Sequence, residues 1–146
     1  MTANPAGPVE AGAAGPGPPA DPAHILVIDD EEPVRGATVR LLQRLGYDAV
    51  GVEDGEAGLR YLRRRPAQLV ITDMQMPGKS GLEVLLELRA RDPQLPVIAM
   101  SGGDSSRQLD LLGSAGLLGA VAVVLKPYTV DELAAAVRGA LATGPP

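Results

Sequence analysis

The chain has 146 residues, 45% of them hydrophobic, and a formal net charge of −5. That is enough apolar material for one domain with its own core, and 18 acidic against 13 basic side chains argue against a nucleic-acid binder, which needs a concentrated basic patch. The lack of cysteine excludes disulfides, thiolate nucleophiles and Cys-ligated metals, and without Phe or Trp the core must be aliphatic.

Residues 1–22 are dominated by Pro, Gly and Ala, as in Gly15-Pro16-Gly17-Pro18-Pro19. Such a segment buries too little apolar surface to offset its ordering entropy, so a disordered tail is expected there. No basic residue precedes Arg35 and no apolar run precedes the first strand, which is unlike a signal peptide. No stretch approaches the roughly 18 apolar residues of a membrane span, so the expectation is a soluble, cytoplasmic chain.

From residue 24 onward, short apolar runs alternate with helical patterns. Residues 25–28 read as a buried strand ending in Asp29-Asp30. Pro33 suits a first helical turn, and Val34, Thr38, Leu41, Leu42 and Leu45 recur at helix spacing until Gly46 ends the run. Residues 47–52 read as the second strand and 55–64 as a short helix closed by Pro66. Residues 68–73 form a third strand, again finishing on an aspartate, and residues 82–91 a Leu-rich helix. Residues 96–100 are a fourth strand ending at Ser101, and a helix is expected between Ser105 and Leu118. Residues 121–125 are a fifth strand, followed by Lys126-Pro127. Thr129 and Glu132 then form a capping box that starts a last helix, running to about Leu141, with Val130, Leu133, Val137 and Leu141 facing the core and an Ala-rich outer face. The domain is expected over residues 23–142, with a short flexible end at 143–146.

Continuous apolar strands separated by helices imply a doubly wound α/β fold, a parallel sheet covered on both faces. In such sheets the ligand site lies beyond the carboxyl ends of the strands. Asp29, Asp30, Asp73, Ser101 and Lys126 all follow strand ends. Three carboxylates gathered there repel one another and call for a cation, and an all-oxygen set suits a hard ion such as Mg²⁺. Lys126 supplies a second positive charge. The combination points to phosphoryl transfer with an aspartate as nucleophile and Ser101 as a hydroxyl donor to the phosphoryl group.

The acidic pair Asp29-Asp30, the loop Asp73-Met74-Gln75-Met76-Pro77-Gly78, Ser101 and Lys126-Pro127 together resemble the receiver domains of two-component response regulators, over roughly residues 24–142. The resemblance implies a flavodoxin-like five-stranded parallel sheet, order 2-1-3-4-5, with helices on both faces. It implies a signalling switch rather than an enzyme, with Asp73 accepting a phosphoryl group from a sensor histidine kinase or a histidine phosphotransfer protein. It further implies a Mg²⁺ site formed by Asp29, Asp30, Asp73 and the backbone carbonyl of Gln75, with Lys126 and Ser101 contacting the phosphoryl oxygens. Pro127 is similar to the family proline that follows a cis bond. The signal would pass to a downstream protein partner, or the phosphoryl group would be handed on, with no direct role for nucleic acid or membrane. The implied readout surface is the face of the fourth helix, fifth strand and fifth helix.

Three features depart from the family pattern. Val123 stands where an aromatic switch residue is common. The stretch from Ser101 to Lys126 is a few residues longer than is usual in the family, with the surplus expected in residues 102–107. After the last helix only residues 143–146 follow, so a stand-alone receiver is expected. Two other readings compete: a receiver-like binding module that works without phosphorylation, and an aspartate-nucleophile phosphohydrolase. The adjacency of Asp29 and Asp30 counts against the hydrolase, because such enzymes usually separate the first-strand aspartates by one residue. No glycine-rich fingerprint follows the first strand, which disfavours a dinucleotide-binding domain. His24 is expected ahead of the first strand with no ligand role, and Arg63-Arg64-Arg65 as a solvated helix end.

Overall fold

In the computed structural model, which describes residues 22–74, 76, 81–102 and 119–142, strands and helices alternate along the chain. The described elements are β1 (His24–Ile28), α1 (Glu32–Arg44), β2 (Asp48–Val52), α2 (Gly55–Arg64), β3 (Leu69–Asp73), α3 (Gly81–Arg91), β4 (Val97–Ser101), β5 (Ala122–Leu125) and α4 (Val130–Ala142). The strands form one parallel sheet in the order β2-β1-β3-β4-β5. This is the doubly wound arrangement that the pattern of apolar runs predicts, in the flavodoxin-like strand order that the resemblance implies. The tail, apart from Pro22, the helix expected between Ser105 and Leu118, most of the surplus at 102–107, and residues 143–146 lie outside the described residues.

β1, β3 and β4 are buried along their whole length, because helices cover both faces of the sheet. Alternate side chains serve opposite cores. Leu26, Ile28, Val70, Val97 and Ala99 pack with Leu59 of α2 and Val84, Leu85 and Leu88 of α3. Ile25, Val27, Leu69, Ile71, Ile98 and Met100 pack with Leu42 of α1 and Leu133 and Val137 of α4. At 0% exposure, each such aliphatic side chain contributes about 1.5–3 kcal/mol relative to an exposed one.

The helix ends follow local chemistry. Pro occupies the first turn of α1, and Gly46 ends the helix at φ 98°, a conformation that costs glycine little. Asp54 caps α2 through a bond from the Ala57 amide at 2.8 Å. Thr129 and Glu132 form the expected reciprocal capping box on α4, at 2.8 and 3.0 Å.

The inward face of α4 differs from the periodicity reading. Leu133 and Val137 are fully buried as expected and Leu141 is partly buried, but Val130 is 51% exposed. Ala134 and Ala140 lie in the buried set, so alanines line the inner face as well as the outer. Val130 opens the helix beside the Lys126–Pro127 turn, before the helix axis brings its apolar stripe over the sheet.

Candidate functional site

β1 and β3 are neighbours in the sheet, so their ends bring Asp29, Asp30 and Asp73 together although 43 positions separate Asp30 from Asp73. One carboxylate oxygen from each lies within 4.8 Å of the other two. Asp29 is fully buried and Asp73 nearly so, while Asp30 is exposed. The donor set contains oxygen alone and one member opens to solvent. Those properties fit a hard divalent cation that keeps part of its water shell.

Lys126 reaches this cluster from the end of β5. Its Nζ donates to Asp29 Oδ2 at 3.0 Å and lies 3.4 Å from Asp73 Oδ2 and 3.9 Å from Glu31 Oε1. Burial draws the ammonium's pKa down, yet the hydrogen bond to Asp29 and the charge of Asp73 outweigh it and hold the pKa above its ordinary value. Lys126 is therefore a fixed cation between two buried carboxylates. Its backbone N–H donates to the Ser101 carbonyl at 2.7 Å, and Gly102 leaves room for its stem, since a Cβ there would sit 3.1 Å from Lys126 Cβ. The Lys126–Pro127 bond is cis. Next along, the Tyr128 hydroxyl hydrogen-bonds Thr38 Oγ1 on α1, tying the lysine turn to the helix that follows the acidic pair.

Backbone contacts set the Asp73 end. The Met74 amide donates to Met100 O at 2.9 Å, and Gly81, the first residue of α3, packs directly on the strand end. A Cβ at Gly81 would approach Met74 Cα to 2.6 Å and the Asp73 carbonyl oxygen more closely still, so a side chain there would push against the backbone that presents Asp73.

The structure thus gathers four of the predicted site residues, Asp29, Asp30, Asp73 and Lys126. Ser101 is buried at the end of β4, one residue beyond the partner of Asp73 in the ladder. Gln75 lies outside the described residues, so its carbonyl remains an expectation. Arg35, which sequence reasoning passed over, donates from Nη1 to the Asp29 carbonyl at 2.9 Å. A cation one turn after an acidic pair is a weak signal, and only the fold shows where it points.

One sequence expectation is corrected at the opposite end of the sheet. His24 is the first residue of β1 rather than a residue ahead of it, and it is buried. Its Nδ1 lies 3.0 Å from Asp48 O and 3.1 Å from Asp48 Oδ2, both acceptors, so this nitrogen carries the hydrogen. Its Nε2 is 2.7 Å from Tyr61 Oη. Arg63, Arg64 and Arg65 are exposed at the end of α2 as expected, and Arg65 also donates to Asp48 Oδ2 at 2.6 Å. Burial raises the Asp48 carboxyl's pKa, but Arg65 and His24 outweigh that and hold it below its ordinary value. A buried polar group must find a partner, so a histidine at a strand start draws in tyrosine and aspartate from adjacent elements.

Comparison with known proteins agrees with this arrangement. The family model described as "Response regulator receiver domain" matches residues 25–138. The sensory transduction protein RegX3 of Mycobacterium tuberculosis is 39% identical over 121 residues, covering 82% of this chain and 51% of that protein. The DNA-binding transcriptional regulator NtrC of Escherichia coli is 32% identical over 117 residues, 80% of this chain and 24% of that protein. The chain spans about half or less of these relatives' lengths. Among solved structures, a receiver domain protein from Clostridium thermocellum superposes with TM-score 0.76 at 33% identity, covering 82% of this chain and 94% of that one. The receiver domain of NtrX from Brucella abortus does so with TM-score 0.77 at 30% identity, covering 82% and 99%.

Proposed function

This chain belongs to the response-regulator receiver domain family of two-component systems, and from that premise we propose that it is a phosphorylation switch whose acceptor is Asp73. Receiver domains bind Mg²⁺ through acidic residues and interact with sensor kinases. The observation that carries the reading is the position of Lys126, whose ammonium spans Asp29 and Asp73 inside a cluster of three carboxylates.

Asp73 attacks the phosphorus of a phosphohistidine on a sensor histidine kinase or histidine phosphotransfer protein. The new bond joins an Asp73 carboxylate oxygen to phosphorus, the P–N bond breaks, and its electron pair returns to the imidazole, which takes up a proton. Asp29, Asp30, Asp73 and the Gln75 carbonyl are the residues that would hold Mg²⁺. Bound there, the ion would neutralise the charge that three carboxylates and a phosphoryl group bring together. Lys126 loses its ion pair to Asp73 and gains the phosphoryl oxygens, and Ser101 supplies a hydroxyl to the same group. The switch then works in the cytoplasm by shifting between two states that differ in these contacts. Output passes to a protein partner or onward as the phosphoryl group.

Intact mass after incubation with acetyl phosphate, with and without Mg²⁺, tests the reading in wild type and Asp73→Asn. The expected result is one phosphoryl adduct that needs both Mg²⁺ and Asp73. No adduct, and no response to beryllium fluoride, would leave a receiver-like module that works unmodified.

A further inference from the structure

The acidic pair is held from a direction that its own carboxylates do not use. The Asp29 amide donates to Val52 O at 3.1 Å, continuing the β1–β2 ladder one residue past Ile28. The Asp29 carbonyl is taken by Arg35 Nη1 at 2.9 Å. That carbonyl belongs to the peptide joining Asp29 to Asp30. Its orientation sets the direction in which the Asp30 backbone leaves the strand, and hence where the Asp30 carboxylate can reach.

Arg35 attains this position through Gly51. Gly51 pairs with Val27 in the interior of β2, where glycine weakens a strand and often marks a close approach. It is not among the glycines with positive φ, so the backbone does not demand it. Space does. A Cβ on Gly51 would lie 2.8 Å from Arg35 Cγ, 3.1 Å from Arg35 Cδ and 3.1 Å from Val39 Cγ2. The arginine stem occupies the volume that a side chain at position 51 would fill, and its side chain is only 19% exposed.

We propose that Arg35 is a positioning residue for the Asp29-Asp30 pair, and that Gly51 is the vacancy that admits it. The claim rests on the reading of this pair as a Mg²⁺ site. It predicts a sign that charge alone would reverse. If Arg35 acted only as a nearby cation, removing it would relieve repulsion and tighten Mg²⁺ binding. If it orients the acidic loop, removing it loosens binding, as loss of an outer partner of a metal site does by about tenfold or more.

The test is a Mg²⁺ titration of the full chain followed by the amide signals of residues 29–31, for wild type, Arg35→Met, Gly51→Ala, Gly51→Val and the Arg35→Met/Gly51→Val pair, with a melting curve for each. The expected result is about tenfold weaker Mg²⁺ binding in Arg35→Met and Gly51→Val, with a smaller loss in Gly51→Ala. The double variant should be no worse than Arg35→Met, because both changes remove the same contact. Gly51→Val keeps the arginine's charge, so equal weakening there assigns the effect to position. Tighter or unchanged binding in Arg35→Met, or additive losses in the pair, would overturn the proposal.

A second readout needs no metal. The Glu31 amide donates to Asp29 Oδ1 at 3.0 Å, and its hydrogen exchange in metal-free protein should quicken about fivefold in Arg35→Met, the equivalent of one net hydrogen bond. Unchanged exchange would defeat the positioning role whatever the metal does. A wild type that ignores Mg²⁺ while the exchange rate responds would defeat the metal reading and leave the positioning role intact.

Discussion

Asp29 is the residue whose burial is hardest to reconcile with stability. It is fully inaccessible, carries a carboxylate, and faces Asp73 across a gap that Lys126 fills. Two expectations follow at this scale. Lys126→Met strips the cation from a buried carboxylate pair and should destabilise the protein by about 3–5 kcal/mol. Millimolar Mg²⁺ should restore part of that loss. Asp73→Asn removes one of the three clustered charges but leaves the 3.0 Å Lys126–Asp29 bond, so without Mg²⁺ it should stabilise by about 1 kcal/mol. Thermal melts of the three proteins with and without Mg²⁺ check both signs. A melting point for Asp73→Asn at or below that of wild type would mean that Lys126 needs both carboxylates. At the other end of the sheet, His24 shows a buried polar residue serving architecture. Nothing in its one-dimensional context marks it, because its partners Asp48 and Tyr61 are 24 and 37 positions away.

Among elements, α4 separates what periodicity can and cannot tell. Spacing alone places Val130, Leu133, Val137 and Leu141 on one stripe, and for the last three that holds. The first turn of a helix often projects beyond the surface it packs on, and here the helix starts directly from the Lys126–Pro127–Tyr128 turn. Leu133→Ala should cost about 2–5 kcal/mol, as for other fully buried leucines, whereas Val130→Ala should stay within about 0.5 kcal/mol of wild type. Urea unfolding midpoints of the two variants measure the contrast. A large loss at Val130 would restore the simple stripe. The strands were more legible than the helix faces. A strand buried on both sides reads as a continuous apolar run, and the polar residue that ends the run marks the sheet's edge.

For the whole molecule, the site couples elements distant in the chain. Lys126 and Asp29 are 97 positions apart, and Tyr128 is bonded to Thr38 across 90. A ligand that joins β1, β3 and β5 at their carboxyl ends should therefore stabilise the domain globally rather than one loop. With Mg²⁺ and beryllium fluoride at about a hundredfold excess over the dissociation constant, linkage gives about 2.7 kcal/mol, a melting shift on the order of 10 °C. Asp73→Asn should abolish that shift. A shift that survives the substitution would place the fluoride complex elsewhere. Val123, where the family often has an aromatic, is 38% exposed on β5, and the Tyr128–Thr38 bond ties the lysine turn to α1.

The sequence by itself determined the α/β class, the order of the described strands and helices, and the residues that end each strand. These depend on local patterns: apolar run length, capping chemistry and glycine or proline punctuation. It also named Asp29, Asp30, Asp73 and Lys126, because polar residues at successive strand ends must converge once the sheet is parallel. Only the tertiary structure decided which groups touch. The reach of Arg35 across Gly51, the burial of His24 between Asp48 and Tyr61, the exposure of Val130, and the backbone contact of Gly81 with Asp73 each join parts of the chain that no local window spans. Local preference selects each element, but a long-range contact forms only where packing several elements leaves no other space for the side chain.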